Sequence, residues 1–352
     1  HAAVSTSVDL IREQVGHKPA SFVNAVLRTV GENDLATWLQ RVAPSRDDDL
    51  LGHLAVVHSH PPWIVGALGA ALHDDADALE RLLAADNAAP QVTLAIRGEL
   101  ADADRAEFED VAATPGALSP YAYHLPSGMP GGLGAVREGR AGVQDEGSQL
   151  VAIAATAAQV DGADAAWLDL CAGPGGKAAL LGAIAAQRDA AVTANELQPH
   201  RADLVRKAVR GLANVTVTTA DGRAPDWPSE SFDRVLVDAP CTGLGALRRR
   251  PEARWRRTET DLDALTTLQR ELLASAIDST RHGGVVTYAT CSPHVRETRE
   301  VVEGVMSERD DVERLDTTEL LPQVPHLRGP YVQLWPHVHG TDAMFVAVLR
   351  RR

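Results

Sequence analysis

The sequence predicts an α/β protein whose largest part is a mostly parallel sheet with helices on both faces. Two observations carry that expectation. Six short apolar runs alternate with helix-length stretches from about residue 147 to residue 349, and a glycine-rich turn, Cys171 to Lys177, follows one run directly. Strands joined by helix-length connections pair in parallel, because each crossover must return over the face of the sheet. A third observation sets this part off from what precedes it: the texture changes from helical to strand-like at Pro90.

Residues 1–88 read as helices. Val8, Leu10, Ile11 and Val15 form one apolar stripe, Phe22, Val23, Ala25, Val26 and Leu27 a second, and Leu79, Leu82 and Leu83 a third, all at helical spacing. Arg46 to Asp49 and His60-Pro61-Pro62 interrupt the pattern as loops. Helical packing explains this region, and no catalytic constellation stands in it.

Residues 89–142 form a small α/β bridging domain. Gln91 to Ile96 alternates like a strand, Ala101 to Ala112 reads as a helix, and Tyr121 to Leu125 as a further strand. Pro126 to Gly134 is a Gly/Pro-rich turn.

Residues 143–352 hold the large sheet. Its expected strands are Ala166–Leu170, Ala191–Ala194, Val215–Thr219, Arg234–Val237, Val285–Tyr288 and Met344–Leu349, with helices near 147–158, 176–187, 199–212, 261–281 and 295–307. No crossover helix of ordinary length precedes the last strand, so it is free to run antiparallel.

A chain of 352 residues accommodates two or three domains, and 45% hydrophobic with 23% charged residues is the composition of a soluble globular protein. No apolar run reaches the roughly 18 residues of a membrane span, and no secretory signal opens the chain. Three widely spaced cysteines do not make a disulfide framework, so a reducing, cytoplasmic setting is expected. The chain begins His-Ala-Ala without an initiator Met and reads as a shortened form of a longer protein. Oligomeric state is not legible.

A net charge of −14 weighs against a nucleic-acid partner, yet residues 242–260 carry six arginines, Arg248, Arg249, Arg250, Arg254, Arg256 and Arg257, against Glu252 and Glu259. That strip reads either as a grip on phosphates or as a salt-bridged, solvated helix face. His337 with His339, and His58 with His60, lack partners at metal-ligand spacing, so no metal site is expected. Aromatic content of 4% argues against a base-stacking platform built on Trp167, Trp255 or Trp335.

Leu168-Asp169-Leu170-Cys171 ends a strand, and Ala172-Gly173-Pro174-Gly175-Gly176-Lys177 turns the chain into a helix. Glycines let backbone approach a ligand, and the helix start offers free N–H groups. The spacing is neither GxGxxG nor a Walker loop. Glu196 ends the next strand, at the separation where a carboxylate meets ribose hydroxyls, and Asp221 ends the third, where it can accept from an adenine amino group. Carboxylates Asp169, Glu196 and Asp221 at three successive strand ends point to a nucleoside without a pyrophosphate, and S-adenosylmethionine fits.

Two thiols complete the crevice. Asp238-Ala239-Pro240-Cys241 and Thr290-Cys291-Ser292 each follow a strand, and strand ends of one open sheet share one crevice. Carbon 5 of a pyrimidine is a poor nucleophile toward a methyl sulfonium until a thiolate adds at C6. The addition needs a proton or hydrogen-bond donor at N3, and release needs a base for the C5 proton. Two thiols and a carboxylate meet those needs, though the motifs do not say which thiol attacks.

The stretches Leu168 to Lys177, Asp238 to Cys241 and Tyr288-Ala289-Thr290-Cys291-Ser292 resemble the Sun (Fmu/RsmB) family of RNA cytosine-5 methyltransferases. Val143 to Leu150 resembles the start of that family's Rossmann-like catalytic domain, and Arg249-Arg250-Pro251-Glu252-Ala253-Arg254-Trp255 its basic segment. The likeness covers residues 143–349 and extends to Phe22 to Arg28, which resembles the NusB-like domain of the ribosomal RNA branch, incomplete here. It implies that Cys291 is the nucleophile, that Cys241 assists release, and that Asp238 hydrogen-bonds cytosine at N3. It also implies that residues 171–177, Glu196, Asp221 and Asp238 line the S-adenosylmethionine site, that Arg248, Arg249, Arg250 and Arg254 meet RNA, and that the substrate is small-subunit (16S) ribosomal RNA. The alternatives are transfer RNA as substrate, or a ribosome-assembly factor with vestigial activity. Thr242-Gly243-Leu244-Gly245 after the Pro-Cys step and Met344 near the C-terminus depart from the family's usual residues without touching the chemistry.

Overall fold

A computed structural model of the protein describes residues 2–352; His1, where the expected helical region begins, lies outside the described residues. The chain forms two compact units, 1–65 and 66–352. The first holds α1 (Ala2–Gln14), α2 (His17–Val30), α3 (Leu35–Val42), α4 (Leu50–Val57) and the start of α5 (Pro62–Ala71). Asp34 and Asp49 cap α3 and α4 by accepting from the N–H groups of Thr37 and Gly52, and Pro62 opens α5, where its missing N–H costs nothing. The helices form as the periodicity predicts, but their stripes are only partly covered: Val8 is buried and Ile11, Val23 and Leu27 are half-buried, while Leu10, Val15, Phe22 and Val26 are exposed.

In the second unit α6 (Ala76–Asp86) buries the expected Leu79, Leu82 and Leu83. A four-stranded antiparallel sheet follows, ordered β2-β3-β1-β4, from β1 (Val92–Ile96), β2 (Thr114–Pro115), β3 (Ala122–Leu125) and β4 (Ala141–Val143). Helices α7 (Asp102–Asp110) and α8 (Gly134–Arg137) pack Phe108 and Ala135 against it. The two-residue β2 and the short β4 carry too few residues to show an alternation, which is why the sequence did not signal them.

The large sheet is entered through α9 (Glu146–Ala157). It alternates β5 (Ala166–Asp169), α10 (Gly176–Ala186), β6 (Ala191–Asn195), α11 (Pro199–Ala208), β7 (Val215–Thr218) and β8 (Phe232–Asp238). Then come α12 (Ala253–Arg256), α13 (Asp261–Ser279), β9 (Thr280–Thr290), α14 (Arg299–Ser307), β10 (Val312–Arg314), β11 (Val332–Gln333), α15 (Pro336–His339) and β12 (Phe345–Arg351). Strand order is β10-β12-β9-β8-β5-β6-β7; β5 to β9 are parallel, and β12 runs antiparallel to β9. The chain thus turns one way from β5 to β6 and the other way to β8, which opens a crevice at the strands' C-terminal ends. Side chains alternate across it. Trp167, Val192 and Leu236 face a core with Leu150, Leu180 and Ile184, whereas Leu168, Val235 and Val237 face Leu272, Ile277 and Val301. Each such Leu or Ile contributes roughly 1.5–3 kcal/mol by leaving water. Among the described residues no helix is long and apolar enough to cross a membrane.

Candidate active site

Register decides which side chains meet. Asp169 pairs with Leu236 of β8 and Ala194 of β6, and Asp238 pairs with Ala289 of β9. Parallel pairing puts the turns after Asp169, Asn195, Asp238 and Thr290 on one edge. The thiols carried by the last two turns touch: Cys241 Sγ lies 3.5 Å from Cys291 Sγ. One glycine permits the approach. Gly245 donates its N–H to Cys291 O and accepts from Ala343 N–H, both at 2.8 Å, and a Cβ on it would sit 2.1 Å from the Ala343 carbonyl oxygen. The Leu-Gly after Thr242-Gly243 is therefore the seam between the two thiol turns.

The Pro-Cys turn is held from below by Glu297, a fully buried carboxylate. It accepts from Thr242 N–H at 2.8 Å, from the Thr242 hydroxyl, and from Gln269 Nε2 at 3.1 Å, while Gln269 also donates to Pro240 O. Thr242 Oγ1 lies 3.1 Å from Ser292 Oγ, which ties the neighbours of both cysteines together. Sequence reasoning missed Glu297, because an acid at the start of an expected helix reads as a cap charge.

The pair is electrically asymmetric. The Cys291 thiol is drawn below its ordinary pKa, first by its contact with Cys241 and further by Lys177, against the opposing effects of burial and Asp238. Cys241 is pushed well up by Cys291 and by burial. Lys177 Nζ donates to Asp238 Oδ2 at 2.8 Å. Burial works against that ammonium, but Asp238 outweighs it and the net shift is upward, so Lys177 stays charged.

On the cofactor side, Gly175 sits at φ +111°, and a Cβ there would lie 2.5 Å from Ala208 of α11, so only glycine lets the turn close onto that helix. The Gly173–Pro174 bond is cis. Glu196 is buried beneath the turn: Gly173 N–H donates to Oε2 at 3.1 Å, Gln198 N–H to Oε1 at 3.0 Å, and Arg201 lies 3.5 Å from Oε2. Both oxygens keep a lone pair. Asp169 is wholly buried and neither oxygen has a hydrogen bond of good geometry, the Cys171 N–H offering only a partial one. Burial first, then Asp238, raises its pKa to about 7. Burial, with Asp169 and Asp238 beside it, pushes the Cys171 thiol well up, which makes it inert. Asp221 reaches the same edge, but Arg223 holds both its oxygens, at 3.0 and 2.7 Å, and draws its pKa down to about 2. It lines a groove of about 630 Å³ together with Trp227 and with Glu271, Ser275 and Asp278 of α13.

The arginine strip is where the structure redirects the sequence reading. Arg248 and Arg249 form a buried four-charge knot with Asp145 and Asp342: Arg248 meets Asp145 at 2.8 Å and Asp342 at 2.8 Å, Arg249 meets them at 2.6 and 3.0 Å. Arg254 is 4% exposed and donates to Asp86 O and Asn87 Oδ1. These three guanidiniums are spent inside the unit, which corrects their expected place on RNA. Arg250 and Arg256 are exposed, beside a Trp255 that is itself 66% exposed. Asp145 Oδ1 also accepts from Gly147 and Asp342 N–H, so the knot joins the start of α9 to the loops flanking both thiols.

Comparison with known proteins points to one family. The family model for the 16S rRNA methyltransferase RsmB/F matches residues 157–350. A putative methyltransferase of Mycobacterium tuberculosis is 54% identical over the whole chain and 76% of its own length. The probable ribosomal RNA small subunit methyltransferase B of Bacillus subtilis is 32% identical over the whole chain and 78% of its own length. Among solved structures, PH0851 superposes with a TM-score of 0.82 at 23% identity, covering 99% of this chain and 76% of that one. NSun6 from Pyrococcus horikoshii, solved with SFG, superposes at 0.69 and 16% identity, covering 83% and 98%. The two structural likenesses bear on the fold alone.

Proposed function

The chain belongs to the RsmB/F family of 16S rRNA methyltransferases and is an S-adenosylmethionine-dependent RNA methyltransferase, and from that premise we propose that it methylates C5 of a cytosine in small-subunit ribosomal RNA through a covalent bond from Cys291 to C6. The observation that carries the proposal is the thiol pair 3.5 Å apart, with Cys291 the acidified member beside Lys177. Cytoplasmic location, the division near residues 88 and 142, and the NusB-like character of the N-terminal helices belong to the same proposal.

The cofactor edge fits S-adenosylmethionine. Asp169 has two buried oxygens without good partners, Glu196 has lone pairs to spare for ribose hydroxyls, and the turn from Cys171 to Lys177 brings backbone to the same edge. When bound, S-adenosylmethionine supplies the methyl group that the activated C5 takes up. The Cys291 thiolate adds to C6, the C5–C6 π pair shifts to C4–C5, the C4–N3 π pair moves onto N3, which takes a proton, and C5 becomes the nucleophilic carbon of an enamine. Asp238 faces N3, and Lys177, one hydrogen bond away, carries the proton that the pair delivers there. After methylation a base removes the C5 proton, the C5–C6 double bond re-forms and Cys291 leaves as thiolate, with Cys241 assisting that step.

Because addition precedes elimination, the two thiols have different loss phenotypes. Cys291→Ala abolishes methylation and forms no adduct while leaving cofactor binding intact. Cys241→Ala accumulates a covalent protein–RNA complex that survives denaturing electrophoresis. An adduct in Cys291→Ala alone exchanges the roles, and full activity in both variants sinks the thiol mechanism. Bisulfite sequencing of ribosomal and transfer RNA, with and without this gene, locates the methylated cytosine; a site in transfer RNA alone overturns the ribosomal assignment.

A further inference from the structure

A cavity of about 420 Å³ opens where the four-stranded sheet meets the glycine turn and α11. Arg97, Lys207, Arg210, Gly142 and Pro174 line it. Three of its lining residues are cations and none is a carboxylate, in a chain whose net charge is −14. Lys207 and Arg210 are exposed and have no ion-pair partner among the described residues.

Arg97 is locked in place. It donates to Ala208 O at 2.7 Å and to Gly139 O at 3.3 Å, and a Cβ on Gly142 would lie 2.2 Å from its Nη2, so glycine is needed beside it. Its Nε has no hydrogen-bond partner among the described residues. Burial, then the neighbouring Arg210, draws its pKa down to about 10, and it remains charged at neutral pH. Like charges gathered without an internal counter-ion repel each other, so the arrangement costs stability unless an anion from outside settles there. This differs from the Arg248–Arg249 knot, where two carboxylates neutralise two guanidiniums.

We propose that this cavity binds a backbone phosphate of the RNA substrate, near the nucleotide whose base enters the crevice. The inference rests on the RNA methyltransferase reading and adds to it the place where the strand is gripped. A phosphodiester suits the site because it brings one negative charge and several acceptor oxygens to a fixed guanidinium and two exposed cations. Pro174 belongs to the cofactor turn itself, so a phosphate held here registers the strand against the methyl-transfer site.

The test is the salt dependence of affinity for a small-subunit ribosomal RNA fragment, compared between wild type, Lys207→Gln/Arg210→Gln and Arg314→Gln, an exposed control on β10. The double variant should flatten the slope of log affinity against log salt by about 1.4–1.8, the loss of two counterion-releasing contacts. It should raise KM for RNA while leaving kcat at saturating RNA and affinity for S-adenosylmethionine unchanged. A wild-type slope in the double variant, or an equal flattening in Arg314→Gln, overturns the cavity as a phosphate site. Wild-type protein that neither binds nor methylates the RNA sinks the functional reading first, and this inference with it.

Discussion

The two sides of the crevice are finished to different degrees. On the thiol side the groups that hold the Pro-Cys turn are answered from within the chain, Gln269 Oε1 alone among them being buried without a partner among the described residues. Glu297 accepts three hydrogen bonds from Thr242 and Gln269, Gly245 bridges Cys291 and Ala343, and two arginines meet two aspartates beneath. On the cofactor side, hydrogen-bonding capacity is left over: Asp169 is buried without a good partner, and Glu196 accepts two backbone N–H groups with Arg201 3.5 Å from one oxygen. A buried acceptor left unanswered costs about 1–3 kcal/mol, so a fold keeps one where a ligand will answer it. The paired thiols are thus held in place by the chain itself, whereas the edge at Asp169 and Glu196 keeps capacity for what the proposed function would bring to it.

The comparison breaks most visibly if the knot is cut. Asp145→Ala leaves Arg248 and Arg249 with Asp342 alone and removes the cap of α9, which should cost about 3–5 kcal/mol, as loss of one partner in a buried ion network does. Urea denaturation measures it. A loss under about 1 kcal/mol would mean that solvent reaches the arginines and that the thiol side is not preorganised in this way.

The next largest effect is a pH dependence on the cofactor side. Asp169 has a folded pKa of about 7 against an ordinary 3.8, so the unfolded chain releases its proton first as pH rises. Its contribution to stability is therefore fully present below pH 3.8 and is lost progressively up to about pH 7, by as much as roughly 4 kcal/mol. Asp169→Asn mimics the protonated acid and removes that loss. The difference in unfolding free energy between the two proteins should grow in the variant's favour from pH 4 to pH 7 and then level. Parallel curves would show that Asp169 ionises freely and is not the unanswered acceptor described above.

What the sequence made legible follows from the range of the interactions. The glycine turn, the strand-end carboxylates and both cysteines lie in continuous motifs, so their placement on one edge follows from strand alternation alone. The antiparallel last strand was open to the sequence for the same reason, since no crossover helix precedes it. Glu297, Gln269 and Asp145 could not be found this way. Each acts on a partner 28 to 104 residues away, and a lone acid in a chain of 48 acids carries no signal. The arginine strip misled for a related reason: local charge density does not say whether the counter-ions stand in solvent or, as here, in Asp145 and Asp342.

Removing Glu196 sharpens the contrast from the ligand's side. Glu196→Ala should weaken S-adenosylmethionine binding by about 1.5–3 kcal/mol, the range for hydrogen bonds to a charged group, while kcat at saturating cofactor changes little. Calorimetry on the folded variant decides it. Unchanged affinity would mean that Glu196 serves only Gly173 and Gln198, and that the cofactor edge is as self-sufficient as the thiol edge.

The smallest expected effect is the most discriminating. Glu297→Gln keeps the size and one acceptor oxygen but turns the other position into a donor, which faces Thr242 N–H or the Thr242 hydroxyl. The mismatch should cost about 1 kcal/mol of stability, since the hydroxyl can rotate and Gln269 can shift its own donor. Thr242 follows Cys241 directly, so a displacement of the turn moves one thiol relative to the other. The turnover number should fall by roughly tenfold, within what a misplacement of about 1 Å costs, while cofactor affinity stays at the wild-type value. That split, kcat down with binding intact, is the reverse of the one expected for Glu196→Ala. Were Glu297→Gln to weaken cofactor binding instead, or to leave kcat untouched, the support under the Pro-Cys turn would be structural only.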